Sequence, residues 1–195
     1  MLRRSAIVVA ASAVLLTACL VPEKFSAKAS FQPDGAYSVT YAGTAVHAMA
    51  AMQAAKTGKL TAKDEASLEQ EVAKMKRNPD VQSVSYRGNG RYELRLEAKR
   101  TKGQALDLLS ILKVNTGKDG VITISSPPIN EKSRKEMAQL GIKVDGTFDV
   151  TLPKNAEIIS QNATGTPSFF GLMGTYSWKI GSVEQRPMMK FRLKG

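Results

Sequence analysis

The chain has 195 residues, with 28 Lys and Arg against 17 Asp and Glu, one cysteine and one histidine. That length suits one domain with its own core, and a single cysteine excludes an internal disulfide and a thiolate zinc site. The formal charge of +11 points to anionic surfaces as counterions.

The first 19 residues, MLRRSAIVVAASAVLLTAC, read as an address rather than as fold. Arg3 and Arg4 form a positive start, and Ala6 to Leu16 is an apolar run of signal-peptide length, too short to span a bilayer stably. Leu16-Thr17-Ala18-Cys19 follows, an aliphatic residue and two small ones before the only cysteine. This tetrad resembles the lipobox of bacterial lipoprotein precursors. The resemblance implies a signal peptide over 1–18, diacylglyceryl and palmitate on Cys19, and a lipid anchor facing the periplasm. Leu20 is not the aspartate that favours inner-membrane retention in enteric bacteria, so the outer membrane is the expected destination. An exported basic domain has little access to nucleic acid, so lipid headgroups or envelope polymers are the expected counterions.

Residues 19–24 read as an acylated start with a short tether, and 25–195 as one domain. Phe25, Ala27, Ala29 and Phe31 alternate with polar residues, Pro33-Asp34-Gly35 turns the chain, and Tyr37, Val39 and Tyr41 alternate again. Residues 24–42 therefore predict a β-hairpin. Thr44 to Thr57, closed by Gly58, predicts a buried helix that carries His47. No Cys, Asp or Glu lies near His47 in sequence, which favours a structural role for it.

Leu60, Thr61 and Asp64 open a second helix whose Leu68, Val72 and Met75 share one face, ending at Asn78-Pro79. Val81–Tyr86 and Tyr92–Ala98 flank the turn Arg87-Gly88-Asn89-Gly90. Residues 105–114 fit helix spacing after Thr101…Gln104, yet Leu108, Ser110, Leu112 and Val114 fit a strand; the strand is preferred. Asn130–Leu140 reads as a short polar helix, and strands follow over Lys143–Leu152, Ala156–Gln161, Thr175–Ile180 and Met189–Leu193. The expected fold is α+β, an antiparallel sheet packed against the two consecutive helices of residues 44–77.

The closing third carries a second resemblance. Phe148-Asp149-Val150-Thr151-Leu152-Pro153, then Ile159 to Ala163 with Asn162-Ala163, then Tyr176-Ser177-Trp178-Lys179-Ile180 and a last apolar strand are similar to the end of LppM-type envelope lipoprotein domains. The resemblance implies lipid or glycolipid handling. Phe169-Phe170-Gly171-Leu172-Met173 departs from it in being more apolar.

Catalytic chemistry is thin. No phosphate-cradling loop, nucleophile elbow, carboxylate pair or metal-ligand spacing stands out, so no catalytic residue, metal or cofactor is expected, and Gly88-Asn89-Gly90 reads as a turn. Two surfaces remain. Arg91, Arg95 and Lys99 share one strand face in a basic stretch, and Phe169, Phe170, Leu172 and Met173 form an apolar loop between strands. Both are expected membrane or ligand contacts.

The expected function is a non-enzymatic, membrane-anchored envelope protein that binds a lipid or amphiphile or lies on the membrane surface. The alternative is a structural or assembly lipoprotein that binds envelope proteins only. A hydrolase would need His47 in a cleft beside a carboxylate and a hydroxyl. An apolar pocket between sheet and helices, reached under Phe169 and Phe170, would favour ligand binding.

Overall fold

The structure is a computed structural model that describes residues 20–109, 111–168, 175–182 and 184–194. Cys19 with the rest of the leader, and Phe169, Phe170, Leu172 and Met173, lie outside the described residues.

The fold is α+β, with three helices and two sheets among the described residues. In chain order the elements are β1 (Leu20–Phe31), β2 (Tyr37–His47), α1 (Ala48–Thr57), α2 (Ala62–Met75), β3 (Val81–Tyr86), β4 (Arg91–Arg100), β5 (Leu106–Leu108), β6 (Leu112–Thr116), β7 (Ile122–Ser125), α3 (Glu131–Gln139), β8 (Asp145–Thr151), β9 (Ala156–Gln161), β10 (Tyr176–Ile180) and β11 (Met188–Leu193). One sheet runs β10-β8-β1-β2-β4-β3 and the other β5-β6-β7-β11-β9. A single antiparallel sheet was the expectation; there are two, and β1 pairs with β8 in parallel. Alternation reveals that a segment is a strand and which face it buries, but not its partner.

Alternation sorts the six-stranded sheet into two faces. Ala27, Ala29, Phe31, Val39, Tyr41, Leu94, Leu96, Phe148, Val150 and Trp178 are buried, whereas Lys24, Ser26, Lys28, Thr40, Arg95 and Lys99 face water. The first two helices and the second sheet cover the buried face, while Met137 of α3 packs with Val46 and Ile142 in a separate small cluster. The Tyr92 hydroxyl donates to the Leu68 carbonyl of α2 at 2.9 Å, and Phe31 meets Phe191 of β11 edge-to-face at 5.0 Å. The helices α1 and α2 and the five-stranded sheet thus divide one inner face between them.

Local chemistry explains most boundaries. Thr61 and Asp64 form a reciprocal capping box at the start of α2, and the Thr61 hydroxyl holds the Asp64 carboxyl below its usual range. The first helix differs from expectation. Residues 44–47 belong to β2, because Val46 pairs across to both Val21 and Arg91. Only Ala50 of α1 is buried and Met49 is 58% exposed, so α1 is a surface helix.

At 105–114 the strand preference is right in kind, but the segment is two strands. The turn between them has Leu109 at φ 49° and an Ile111 N–H to Leu108 carbonyl bond of 3.0 Å. Gln104 accepts from the Thr101 N–H without a helix following. At the start of the domain, Leu20, Val21 and Pro22, expected as tether, already pair with His47, Val46 and Ala45.

Two predictions follow from this packing. A Cβ on Gly43 would sit 2.2 Å from the Lys24 carbonyl oxygen and 2.7 Å from the Phe25 Cβ, whereas one on Gly165 would meet only the Ser177 Cβ at 3.6 Å. Gly43→Ala should cost about 1–3 kcal/mol and lower Tm by about 4 °C or more, with Gly165→Ala near neutral; a thermal melt of both decides.

Burial also raises four phenols above the ordinary 10.0: Tyr37 and Tyr86 to about 12, and Tyr41 and Tyr92 upward as well. A phenol raised in the folded state keeps its proton after the unfolded chain has lost it. Its contribution is therefore intact below about pH 10 and lost as pH rises towards 12. Tyrosinate absorbance and loss of secondary structure should appear in one alkaline transition. Stepwise ionisation of an intact fold near pH 10 would contradict the burial.

Candidate ligand-binding cleft

Where the second sheet stops short of covering β1, β8 and β10, an apolar cleft of about 80 Å³ remains between the sheets. Phe25 and Ala27 of β1, Phe148 of β8 and Ile180 of β10 form its floor, and Ile111 and Leu112 its far wall. The lip is Pro127, Ile129, Gln185, Arg186 and Pro187, with Val21, Pro22 and Val144 at one end. The site lies between two sheets, not between sheet and helices as the sequence suggests.

Two glycines shape the floor. Gly43 on β2 and Gly146 on β8 are the Cα partners of Phe25 on either side. A Cβ on Gly146 would lie 2.6 Å from the Phe25 ring, so the ring rests where a side chain would otherwise stand. Tyr41 stacks on Phe25 at 5.6 Å and 17°. Phe25 is therefore fixed as a flat wall rather than as a plug.

Asn162 holds the lip. Its Oδ1 accepts from the Trp178 indole N–H and from the Met188 N–H, each at 2.8 Å, while its Nδ2 donates to the Arg186 carbonyl at 2.9 Å. The Ser126 N–H donates to the Pro187 carbonyl at 3.0 Å, which ties the same loop to the end of β7. Beyond the lip lies a wider depression of about 520 Å³, more polar than the slot, that shares Ser126, Ile180, Gln185, Arg186 and Pro187 with the cleft and adds Thr164, Lys179 and Glu184 beside Trp178 and Met188. An apolar slot thus adjoins a mixed polar and apolar basin across Arg186.

The residues singled out from sequence lie elsewhere. Arg91, Arg95 and Lys99 do share a face, but it is the outer face of the six-stranded sheet, opposite the cleft. Arg91 pairs with Glu23 at 3.0 Å and Lys99 with Glu97 at 2.9 Å, so Arg95 is the cation of the three with no carboxylate partner among the described residues. Such half-exposed pairs contribute about 0–1 kcal/mol each, yet they neutralise much of the expected patch.

His47 caps α1, its Nδ1 accepting from the Ala50 N–H at 3.2 Å, and it does not line the cleft. Among the described residues no three His, Cys, Asp or Glu side chains gather as a metal site would need, and no helix is long and apolar enough to cross a membrane.

Phe25, Ala27, Phe148 and Ile180 are legible from sequence as buried strand residues but not as a cleft, because the wall facing them comes from another sheet. Asn162 and Trp178 are prominent in the sequence as two landmarks of the closing strands; the structure joins them by one hydrogen bond.

Asn162→Ala leaves the indole N–H of Trp178, itself 4% exposed, without its acceptor. It should cost about 1 kcal/mol or more and shift the emission of Trp178, whereas Asn162→Asp keeps the acceptor and most of the stability. Equal melts and emission for both variants would show that Asn162 does not hold the lip.

No family model matches the chain, and no curated protein matches it. Among solved structures, the chain is similar to the NMR structure of the folded domain of the Mycobacterium tuberculosis LppM protein, at 12% identity and a TM-score of 0.42, over 93% of this chain and 95% of that one.

Proposed function

We propose that this chain is a non-catalytic lipoprotein of the bacterial envelope, anchored through Cys19, that receives the hydrocarbon end of an amphiphile between its two sheets. The apolar cleft carries the reading. Its size limits what it takes. About 80 Å³ is well below the roughly 300–1,000 Å³ of pockets that enclose whole ligands, so the slot suits the end of a chain whose remainder stays outside. Each methylene moved from water into such a slot contributes about 0.8 kcal/mol. The outer membrane is the proposed site, from Leu20 following Cys19. The apolar loop of Phe169, Phe170, Leu172 and Met173 belongs to the same proposal as a membrane or ligand contact.

Trp178, the only tryptophan, lies 5.4 Å from Phe148 of the cleft floor, its ring tilted by 30°, and so reports on what enters. The full chain in vesicles whose lipids carry bromine at the acyl-chain end should show quenched Trp178 fluorescence. Val144→Phe, which narrows the cleft from its rim, should reduce that quenching by at least about threefold without lowering Tm by more than about 4 °C. Quenching that is absent, or the same in the variant, would leave the protein-binding alternative. Ile159, 52% exposed on the sheet-edge strand β9, is the surface that reading would use.

A further inference from the structure

The turn between β3 and β4 places a chemically weak pair of residues against a helix. Gly88-Asn89-Gly90 runs through three consecutive left-handed residues, at φ 81°, 52° and 72°. Gly90 must be glycine for a second reason, since a Cβ there would lie 2.6 Å from the Ala50 Cβ of α1. Asparagine tolerates the left-handed conformation better than most side chains, so the turn is built on Asn-Gly, the only such pair in the chain. The same glycine makes the pair labile. With no Cβ to obstruct it, the Gly90 amide nitrogen can attack the side-chain carbonyl carbon of Asn89.

In the folded chain both amides of the pair are engaged, directly or through Tyr86, by one carboxylate of α2. The Gly90 N–H donates to the Tyr86 hydroxyl at 2.9 Å, and that hydroxyl donates to Oε2 of Glu65 in the first turn of the helix. Oε1 of the same carboxylate accepts from the Asn89 N–H at 3.1 Å. The Asn89 side chain itself is exposed to water. Independent contacts seat α2: Leu68 and Met75 are buried, and the Leu68 carbonyl accepts from the Tyr92 hydroxyl at 2.9 Å.

We propose that Asn89-Gly90 is a deamidation site guarded by Glu65 and Tyr86, and that its conversion marks chains in which α2 has left the turn. While α2 is docked, the Gly90 N–H keeps its acceptor and the turn keeps its left-handed course. Once Glu65 leaves, the Gly90 nitrogen gives up its proton to solvent and bonds to the Asn89 Cγ. The side-chain nitrogen departs as ammonia with a proton from water, and a water molecule then opens the cyclic imide at either carbonyl. The products are aspartate and isoaspartate. Each sets a carboxylate beside that of Glu65, and isoaspartate also lengthens the turn by a backbone carbon. A local opening that is otherwise reversible thus becomes a lasting change in how α2 is held.

Peptide mass spectrometry of the full chain, incubated in detergent at neutral pH, measures the conversion of Asn89. The folded chain should convert at least about tenfold more slowly than the chain unfolded in urea. Tyr86→Phe and Glu65→Ala should each speed the folded rate by about three- to tenfold, the range set by loss of one hydrogen bond. Glu69→Ala, which removes a charge from the same helix but none of these bonds, should leave the rate unchanged. Far-UV circular dichroism checks that each variant is folded, and Glu65→Ala, at a partly exposed position, carries the test if Tyr86→Phe does not fold. Asn89→Asp, the aspartate product, should speed amide hydrogen exchange over residues 62–75 by at least about threefold. Equal rates in the folded and unfolded chain, or Glu65 and Tyr86 variants no faster than wild type, overturn the guard. Unchanged exchange of α2 in Asn89→Asp overturns the lasting change.

Discussion

The close approach of three backbones around Phe25 is the constraint on which the rest of the site depends. β1 lies between an antiparallel neighbour, β2, and a parallel one, β8, and at Phe25 both neighbours present glycine. A side chain at either position would meet Phe25 at under 3 Å. Without those contacts the ring lies across its neighbours, stacks on Tyr41, and forms a wall with Ala27 and Phe148. Burial of a phenylalanine is worth roughly 1.5–3 kcal/mol, so the arrangement stabilises the sheet while leaving a hollow beside it. Strand pairing, packing and the shape of the cleft thus meet at one residue.

The hollow persists because the two sheets are unequal. The five-stranded sheet shares the inner face of the larger sheet with α1 and α2, and the small sheet reaches β1 firmly at Phe31, where Phe191 fills the space. At the opposite end of β1, coverage passes to the segments around Pro127 and Arg186, which are held by hydrogen bonds from Asn162 and Ser126 rather than by sheet pairing. A wall fixed by a few bonds at its edges can yield locally at less cost than a strand in mid-sheet. Entry of a chain end is therefore compatible with a rigid floor.

Much of the fold was legible from local pattern. The capping box of Thr61 and Asp64, the hairpin of residues 81–98 and the alternation of Phe25 to Phe31 each declare an element through a period or a cap. What stayed hidden depends on partners distant in sequence. Nothing near Phe25 says that Gly43 and Gly146 will flank it, and nothing near Leu20 says that the chain pairs from that residue onward. Charge misled for a related reason. Arg91 and Lys99 read as a basic stripe because Glu23 is far away in sequence and nothing in the alternation says that Lys99 will bridge to Glu97. Position in the chain is informative about periodicity and silent about neutralisation.

The central claim is that the intersheet cleft of an anchored protein holds the end of an amphiphile. Native mass spectrometry of the protein taken from bacterial membranes tests it most directly, since anchor and ligand are read in one spectrum. The account predicts a chain beginning at Cys19 with the added mass of its acyl groups, together with one non-covalent amphiphile per chain that leaves on mild activation. A chain with an acylated Cys19 and no adduct, from membranes rich in candidate lipids, would contradict it.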